Sequence, residues 1–242
     1  MEEWKLEPAR DLGLSLSQRA QSLRRENGLI ENGLHLFWGL SWRAYFRLWH
    51  RLEIHGQENL PAAPPFTLIA NHTSHLDALA LACSLRFRWR HCIFPIAAGD
   101  TFFKTPSVAA FAAFVMNALP MWRRHCGSHS LLELRERLVE GPSIYLIFPE
   151  GTRARDGKIA PFKPGLGMLV AGTSVPVVPC FLNGTFDSLP PGKKFPLPRK
   201  IVLRFGKPLT FPATKNERTG WVEAAKAAQE TVTGLSQGTS ER

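Results

Sequence analysis

A chain of 242 residues is long enough to bury a full core, as one domain or one domain with a small appendage. With 44% hydrophobic and 21% charged residues, its composition excludes a disordered polypeptide. The formal net charge of +10 and a pI near 9.9 predict attraction to polyanions, either nucleic acid or an anionic membrane surface.

The first residues, Met-Glu-Glu-Trp-Lys, are polar, and no apolar secretory core follows them. Residues 1–27 carry scattered leucines and predict one weak amphipathic helix. From 28 to 50, Leu34, Trp38, Trp42, Tyr45 and Trp49 recur at helical spacing, with Phe37, Phe46 and Leu48 beside them and Arg43, Arg47 and Arg51 interleaved. Such a helix either packs on its own domain or lies at a membrane interface, with its rings at headgroup level and its cations against lipid phosphate. No run reaches the roughly 18 apolar residues that a spanning helix requires; the nearest, 108–122, is shorter and holds Asn117. The expectation is a non-spanning chain on the cytoplasmic side. Its four cysteines, Cys83, Cys92, Cys126 and Cys180, lack a Cys-x-x-Cys pair and read as reduced thiols.

After a stiff connector, Leu60-Pro61-Ala62-Ala63-Pro64-Pro65, the pattern alternates. Strands are expected at 66–70, 92–98, 143–148, 175–182 and 201–205. Helices are expected at about 74–85, at 106–118, at 130–140 (stopped by Gly141-Pro142), around 168–171 and at 219–234. This alternation predicts an α/β fold, a layered mixed sheet flanked by helices. Sites in such sheets lie beyond the carboxyl ends of strands, and two polar words sit there.

The first word is Asn71-His72-Thr73-Ser74-His75-Leu76-Asp77. On a regular helix, residues five apart point about 140° away from each other, so His72 and Asp77 meet only if His72 lies in the turn before the helix. Ser74 as N-cap would allow this. A neutral imidazole oriented by a carboxylate is a suitable base for a hydroxyl that attacks a thioester carbonyl. The same residues also read as a Ser74-x-x-Asp77 capping box with no catalytic part. His75 has no assigned role. The second word is Phe148-Pro149-Glu150-Gly151-Thr152-Arg153. Gly151 permits a tight turn, Arg153 offers a planar fork that matches phosphate, and Arg155, Lys158 and Lys163 extend the positive field. The competing reading is a solvated turn closed by an internal Glu150–Arg153 pair. Between 78 and 132 six basic residues face one acid, Asp100, a local excess of +5.

These words resemble the blocks of the glycerolipid acyltransferases, the lysophosphatidate (1-acylglycerol-3-phosphate) acyltransferases and their relatives. Asn71 to Asp77 is similar to that family's Asn-His-x-x-x-x-Asp. The stretch 117–123 falls at its arginine-ended block, 148–153 at its third, and Val175-Pro176-Val177-Val178-Pro179 at its fourth. Three positions differ: Asn117 stands at a glycine, Trp122 at a frequent acid and Gly99 at a frequent lysine. The resemblance implies that His72 is the catalytic base and Asp77 its orienter. It implies that Arg123, Glu150, Gly151, Thr152 and Arg153, with Lys163, bind a phosphate-bearing acceptor. The acyl donor would be acyl-CoA or acyl carrier protein as co-substrate, with no metal or other cofactor. The partners would be a membrane lipid acceptor and an anionic membrane surface, with no nucleic acid. Residues 1–51 would form a membrane-docking segment and 52–242 the acyltransferase domain of a peripheral, monotopic protein.

Other readings are an acyltransferase for another lysolipid; a nucleic-acid-binding protein, from the charge and the Arg86, Arg88, Arg90 run; and a zinc protein, from Cys126 and His129 with His91 and Cys92. A serine hydrolase lacks its Gly-x-Ser-x-Gly.

Overall fold

The computed structural model describes residues 11–23, 25–26, 28–122 and 127–237. In chain order its elements are α1 (Leu16–Gln21), α2 (Leu29–Leu48), β1 (Glu53–His55), β2 (Phe66–Ala70), α3 (Asp77–Ser84), β3 (Ile93–Ala98), α4 (Gly99–Phe102) and α5 (Pro106–Ala110). They continue with β4 (Leu119–Met121), α6 (Gly127–Glu140), β5 (Ile144–Ile147), α7 (Gly165–Val170), β6 (Thr173–Asn183), α8 (Thr185–Ser188), β7 (Val202–Phe205), β8 (Leu209–Phe211) and α9 (Arg218–Gln237). A π-helical turn, Phe111–Val115, extends α5.

The strands form one mixed sheet in the order β1-β7-β6-β2-β5-β3-β4, with β8 antiparallel on β6. From β6 through β2, β5 and β3 to β4 every neighbour is parallel, so their carboxyl ends share one edge. β7 runs antiparallel to β6 and pairs β1 in parallel. Both faces are covered. Phe66, Leu68 and Ala70 of β2, Ile144 and Leu146 of β5, and Val178 and Cys180 of β6 pack in one layer with Leu81 and Leu85. The intervening Ile69, Tyr145, Ile147 and Val177 pack in the other with Leu134, Leu166 and Ala224. Two-sided burial is why these strands read as unbroken apolar runs rather than alternating ones.

α3 begins at Asp77 with Leu76 at the N-cap, two residues later than the expected Ser74 cap, and Leu76 offers no side-chain cap bond. The short strands β1, β4 and β8 were not expected. They are three residues each, too short to show a period, and exist because a longer neighbour offers them a ladder.

In α2 the tryptophan row divides: Trp38 and Trp42 turn towards the domain, one of the two arrangements expected, while Trp49, just past the helix, is 47% exposed. Trp38 and Trp42 stack at 6.1 Å, Trp42 meets Tyr45 edge-on, and Trp42 and Tyr45 pack against the core layer in which Phe46 is fully buried. Arg43 is engaged with the Leu85 carbonyl and the Phe87 ring. The face left outward is apolar: Leu29, Leu36, Phe37, Leu40 and Leu48 are all exposed, a stripe at helical period. No helix of the described residues is long and apolar enough to cross a membrane.

His35 lies on the inner side of α2 and is 6% exposed. Burial, then the nearby His91 and Arg25, draw its pKa down to about 4. The unfolded chain binds this proton near pH 6.5 while the fold refuses it until about pH 4, so stability present above pH 6.5 drains away as pH falls through that window. At roughly 1.4 kcal/mol per pKa unit the loss is on the order of 3 kcal/mol. Chemical denaturation at pH 7 and pH 4 is expected to show a loss of this order that His35→Leu lacks; equal losses in both proteins contradict the assignment.

Candidate active site

The parallel strands deliver β2 and β5 side by side, so the residues after Ala70 and after Ile147 emerge together. Asn71 leaves β2 first. Its side chain bonds the β6 main chain in both directions, Nδ2 donating to the Leu182 carbonyl (2.9 Å) and Oδ1 accepting from the Leu182 N–H (2.8 Å). The chain then turns. Asp77, at the start of α3, is fully buried, and its Oδ2 accepts three N–H groups: His72 Nδ1 at 2.9 Å, Thr73 N at 2.7 Å and Ser74 N at 2.8 Å. The imidazole and carboxylate expected to meet do meet. The capping-box geometry is half present, since the carboxylate holds the Ser74 N–H, while Ser74 Oγ accepts from Leu76 N and donates to the Leu189 carbonyl. His72 stacks on Phe148 with ring centroids 4.1 Å apart, and its side chain remains 20% exposed. With Nδ1–H given to Asp77, the basic nitrogen is Nε2, which has no hydrogen-bond partner among the described residues.

The second word forms the facing loop. Glu150 is 2% exposed. Its Oε1 accepts the His72 N–H at 2.8 Å and its Oε2 the Ala160 N–H at 3.0 Å, and no Glu150–Arg153 pair forms. Burial raises the Glu150 pKa, although both backbone donors pull it back. The loop also returns to the turn, with Ala154 N–H donating to the His72 carbonyl at 2.8 Å. Gly151 has φ +75°, the left-handed region open to glycine, and a Cβ built there would lie 2.7 Å from Lys163 Nζ. The Lys163 ammonium therefore folds over this turn. Thr152 and Arg153 are exposed, and Arg153 has no hydrogen bond or ion pair with the described residues. His75, across from it, is held below the usual histidine range by partial shielding first and then by the Arg153 and His72 charges.

β3 and β4 end on the same edge. Asn117, at the family's glycine, has φ +53° and keeps that conformation by donating Nδ2 to the Ile93 carbonyl at 3.0 Å; asparagine is the side chain best able to replace glycine there. Gly99 and Trp122, the other two departures, meet each other: a Cβ on Gly99 would fall 2.7 Å from the indole. The indole fills the space above the glycine. Arg123 lies outside the described residues, as does Cys126. Among the described residues no three His, Cys, Asp or Glu side chains converge on a metal-sized site.

The arrangement offers an oriented base with an open nitrogen, two engaged carboxylates and, on the facing loop, exposed cations without ion pairs among the described residues. Chemically it suits removal of a proton from a neutral hydroxyl on an anionic molecule. The reading of the sequence missed three supports: Asn71 as a clip, the Phe148 ring under His72, and the Ala154 bond. Asn71 and Phe148 sat inside the quoted words, but their partners lie 111 and 76 residues away. Asn71→Ala leaves a buried N–H and C=O of Leu182 unpaired and is expected to cost about 2–4 kcal/mol in denaturant titration. A loss under about 0.5 kcal/mol contradicts the clip.

Residues 51–183 match the family model described as Acyltransferase. Over 151 residues the chain is 35% identical to a chloroplastic 1-acyl-sn-glycerol-3-phosphate acyltransferase of Brassica napus, covering 60% of this chain and 41% of that protein. Over 192 residues it is 32% identical to a 1-acyl-sn-glycerol-3-phosphate acyltransferase of Chlamydomonas reinhardtii, covering 78% and 54%. The chain thus spans about half the length of the curated relatives it matches. The crystal structure of the 1-acyl-sn-glycerophosphate (LPA) acyltransferase PlsC from Thermotoga maritima shares the fold, with a TM-score of 0.63, 24% identity and coverage of 88% of this chain and 81% of that one. With the family model spanning more than half of its length, this chain belongs to the acyltransferase family.

Proposed function

We propose that the chain transfers a fatty acyl group from an acyl thioester, acyl-CoA or acyl carrier protein, to the free hydroxyl of a lysophospholipid, 1-acylglycerol-3-phosphate foremost, giving phosphatidate. The observation that carries this reading is the His72 Nδ1–Asp77 Oδ2 bond at 2.9 Å, with Nε2, and Arg153 on the facing loop, both without a hydrogen-bond partner among the described residues. The curated relatives, named for this reaction, support the acceptor.

In the proposed mechanism Asp77 accepts Nδ1–H and so leaves the lone pair on Nε2. The acceptor hydroxyl gives its proton to Nε2 as its oxygen attacks the thioester carbonyl. The C–S bond then breaks, and the imidazolium returns the proton to the leaving sulfur. Asp77 stabilises the cation in between. Arg153, Thr152 and Lys163, with Arg123, hold the acceptor phosphate, and Gly151 lets it approach the main chain.

The apolar stripe of α2 supports peripheral docking on an anionic membrane. Its 20 residues extend for about 30 Å, long enough to lie along a bilayer surface, with exposed Arg47 and Arg51 near its end. The cytoplasmic leaflet fits the +10 charge. A nucleic-acid partner has only the charge in its favour.

The purified protein incubated with acyl-CoA and a panel of lysolipids, with products read by mass spectrometry, tests the reading; no acylated product would falsify it. His72→Ala is expected to lose on the order of 10³-fold or more in kcat. Asp77→Asn keeps an oxygen for the three N–H donors but removes the charge, and is expected to lose roughly 10²–10⁴-fold with little change in melting temperature. Full activity in either variant contradicts the base assignment. Arg153→Ala is expected to raise the acceptor KM by about tenfold or more, the worth of a charge-assisted hydrogen bond, at a nearly constant kcat. An unchanged KM removes its phosphate role.

A further inference from the structure

The loop and the catalytic turn are joined through the main chain of one residue, His72. Glu150 Oε1 holds the His72 N–H, Ala154 N–H holds the His72 carbonyl, and Glu150 Oε2 holds the Ala160 N–H. His72 is therefore gripped by its main chain on both sides as well as by its ring. At 2% exposure Glu150 offers no face to a lipid hydroxyl. Each of its oxygens already holds a backbone N–H, and burial closes the rest of the group to a substrate. We propose that Glu150 is a positioning residue: its carboxylate sets the main chain of His72 in register with Asp77 and ties that turn to the loop carrying Arg153, without touching the acceptor. This rests on the acyl-transfer reading above and replaces the acceptor contact that the family resemblance implies for Glu150.

Energetics agree with the geometry. Burial raises the Glu150 pKa, and the two backbone donors, His72 N–H and Ala160 N–H, pull it back, so both tethers act on the carboxylate that makes them. Their loss displaces the imidazole rather than emptying a substrate contact.

Glu150→Gln in the full chain tests this. The amide can accept one of the two N–H groups but turns an NH2 towards the other, so one tether is lost. The expected result is a fall in kcat on the order of 10–100-fold, as for small misplacements of a reacting group, with the acceptor KM changed by less than about threefold. Residue-resolved amide exchange should quicken at His72 or Ala160 while circular dichroism stays unchanged. A tenfold rise in acceptor KM with kcat preserved overturns the proposal in favour of direct contact, and wild-type kinetics overturn it outright. If Glu150→Gln does not fold, exchange in the unsubstituted protein decides: both amides protected before any lipid is added supports the tether, and rapid exchange refutes it. An active His72→Ala would sink the acyl-transfer reading itself. An inactive His72→Ala beside the wrong Glu150→Gln pattern removes only the tether.

Discussion

A carboxylate sealed completely from water costs several kcal/mol unless donors replace its hydration. Asp77 meets that demand on one oxygen, which collects the His72 ring N–H and two consecutive main-chain N–H groups. Its place at the first turn of α3 adds the favourable end of a helix dipole. The geometry of the turn follows. To bring three donors to one point, residues 72–74 must leave the strand and fold back before the helix begins. That is why the imidazole sits in a loop and not on a helical face. Four other segments then hold the turn in place: β6 through Asn71, the 148–163 loop through Glu150, α8 through the Thr73–Thr185 hydroxyl pair, and the segment after α8 through Ser74 and Leu189.

The charges of the site are sorted by depth. Asp77 and Glu150 are buried and committed to N–H donors, whereas Arg153, Arg155, Lys158 and Lys163 are exposed. Both buried carboxylates are engaged inside, at close range, while the loop presents four cations and one acid, Asp156, to solvent. The turn has no ion pair between Glu150 and Arg153, because the same backbone bonds that occupy the acid turn it away from the guanidinium; the proposed acceptor would meet the cations without breaking such a pair.

What could be read in the sequence follows from range. β2, β3, β5 and β6 were legible because burial on both faces writes a solid apolar run into the chain. The meeting of His72 with Asp77 was legible because five residues and a turn decide it. Three-residue strands leave no period to read. The α2 tryptophans showed a face but not what the face meets; Phe46, buried among β-strand residues, settles that they point to the protein, and the leucine stripe faces out. Glu150 was read as a partner for Arg153 or for a ligand because its actual partners, the amides of His72 and Ala160, belong to the backbone, and no side-chain motif encodes them. Gly99 and Trp122 looked like two unrelated departures, yet they form one contact.

The bond between Asn71 and Leu182 also orders events in time. It spans 111 residues, so its second half does not exist while the ribosome is still making the first two-thirds of the chain. A nascent polypeptide carrying both polar words lacks the strand that fastens them. The turn that carries His72 can settle only after β6 has been synthesised and has come in beside β2, with the sheet nearly complete.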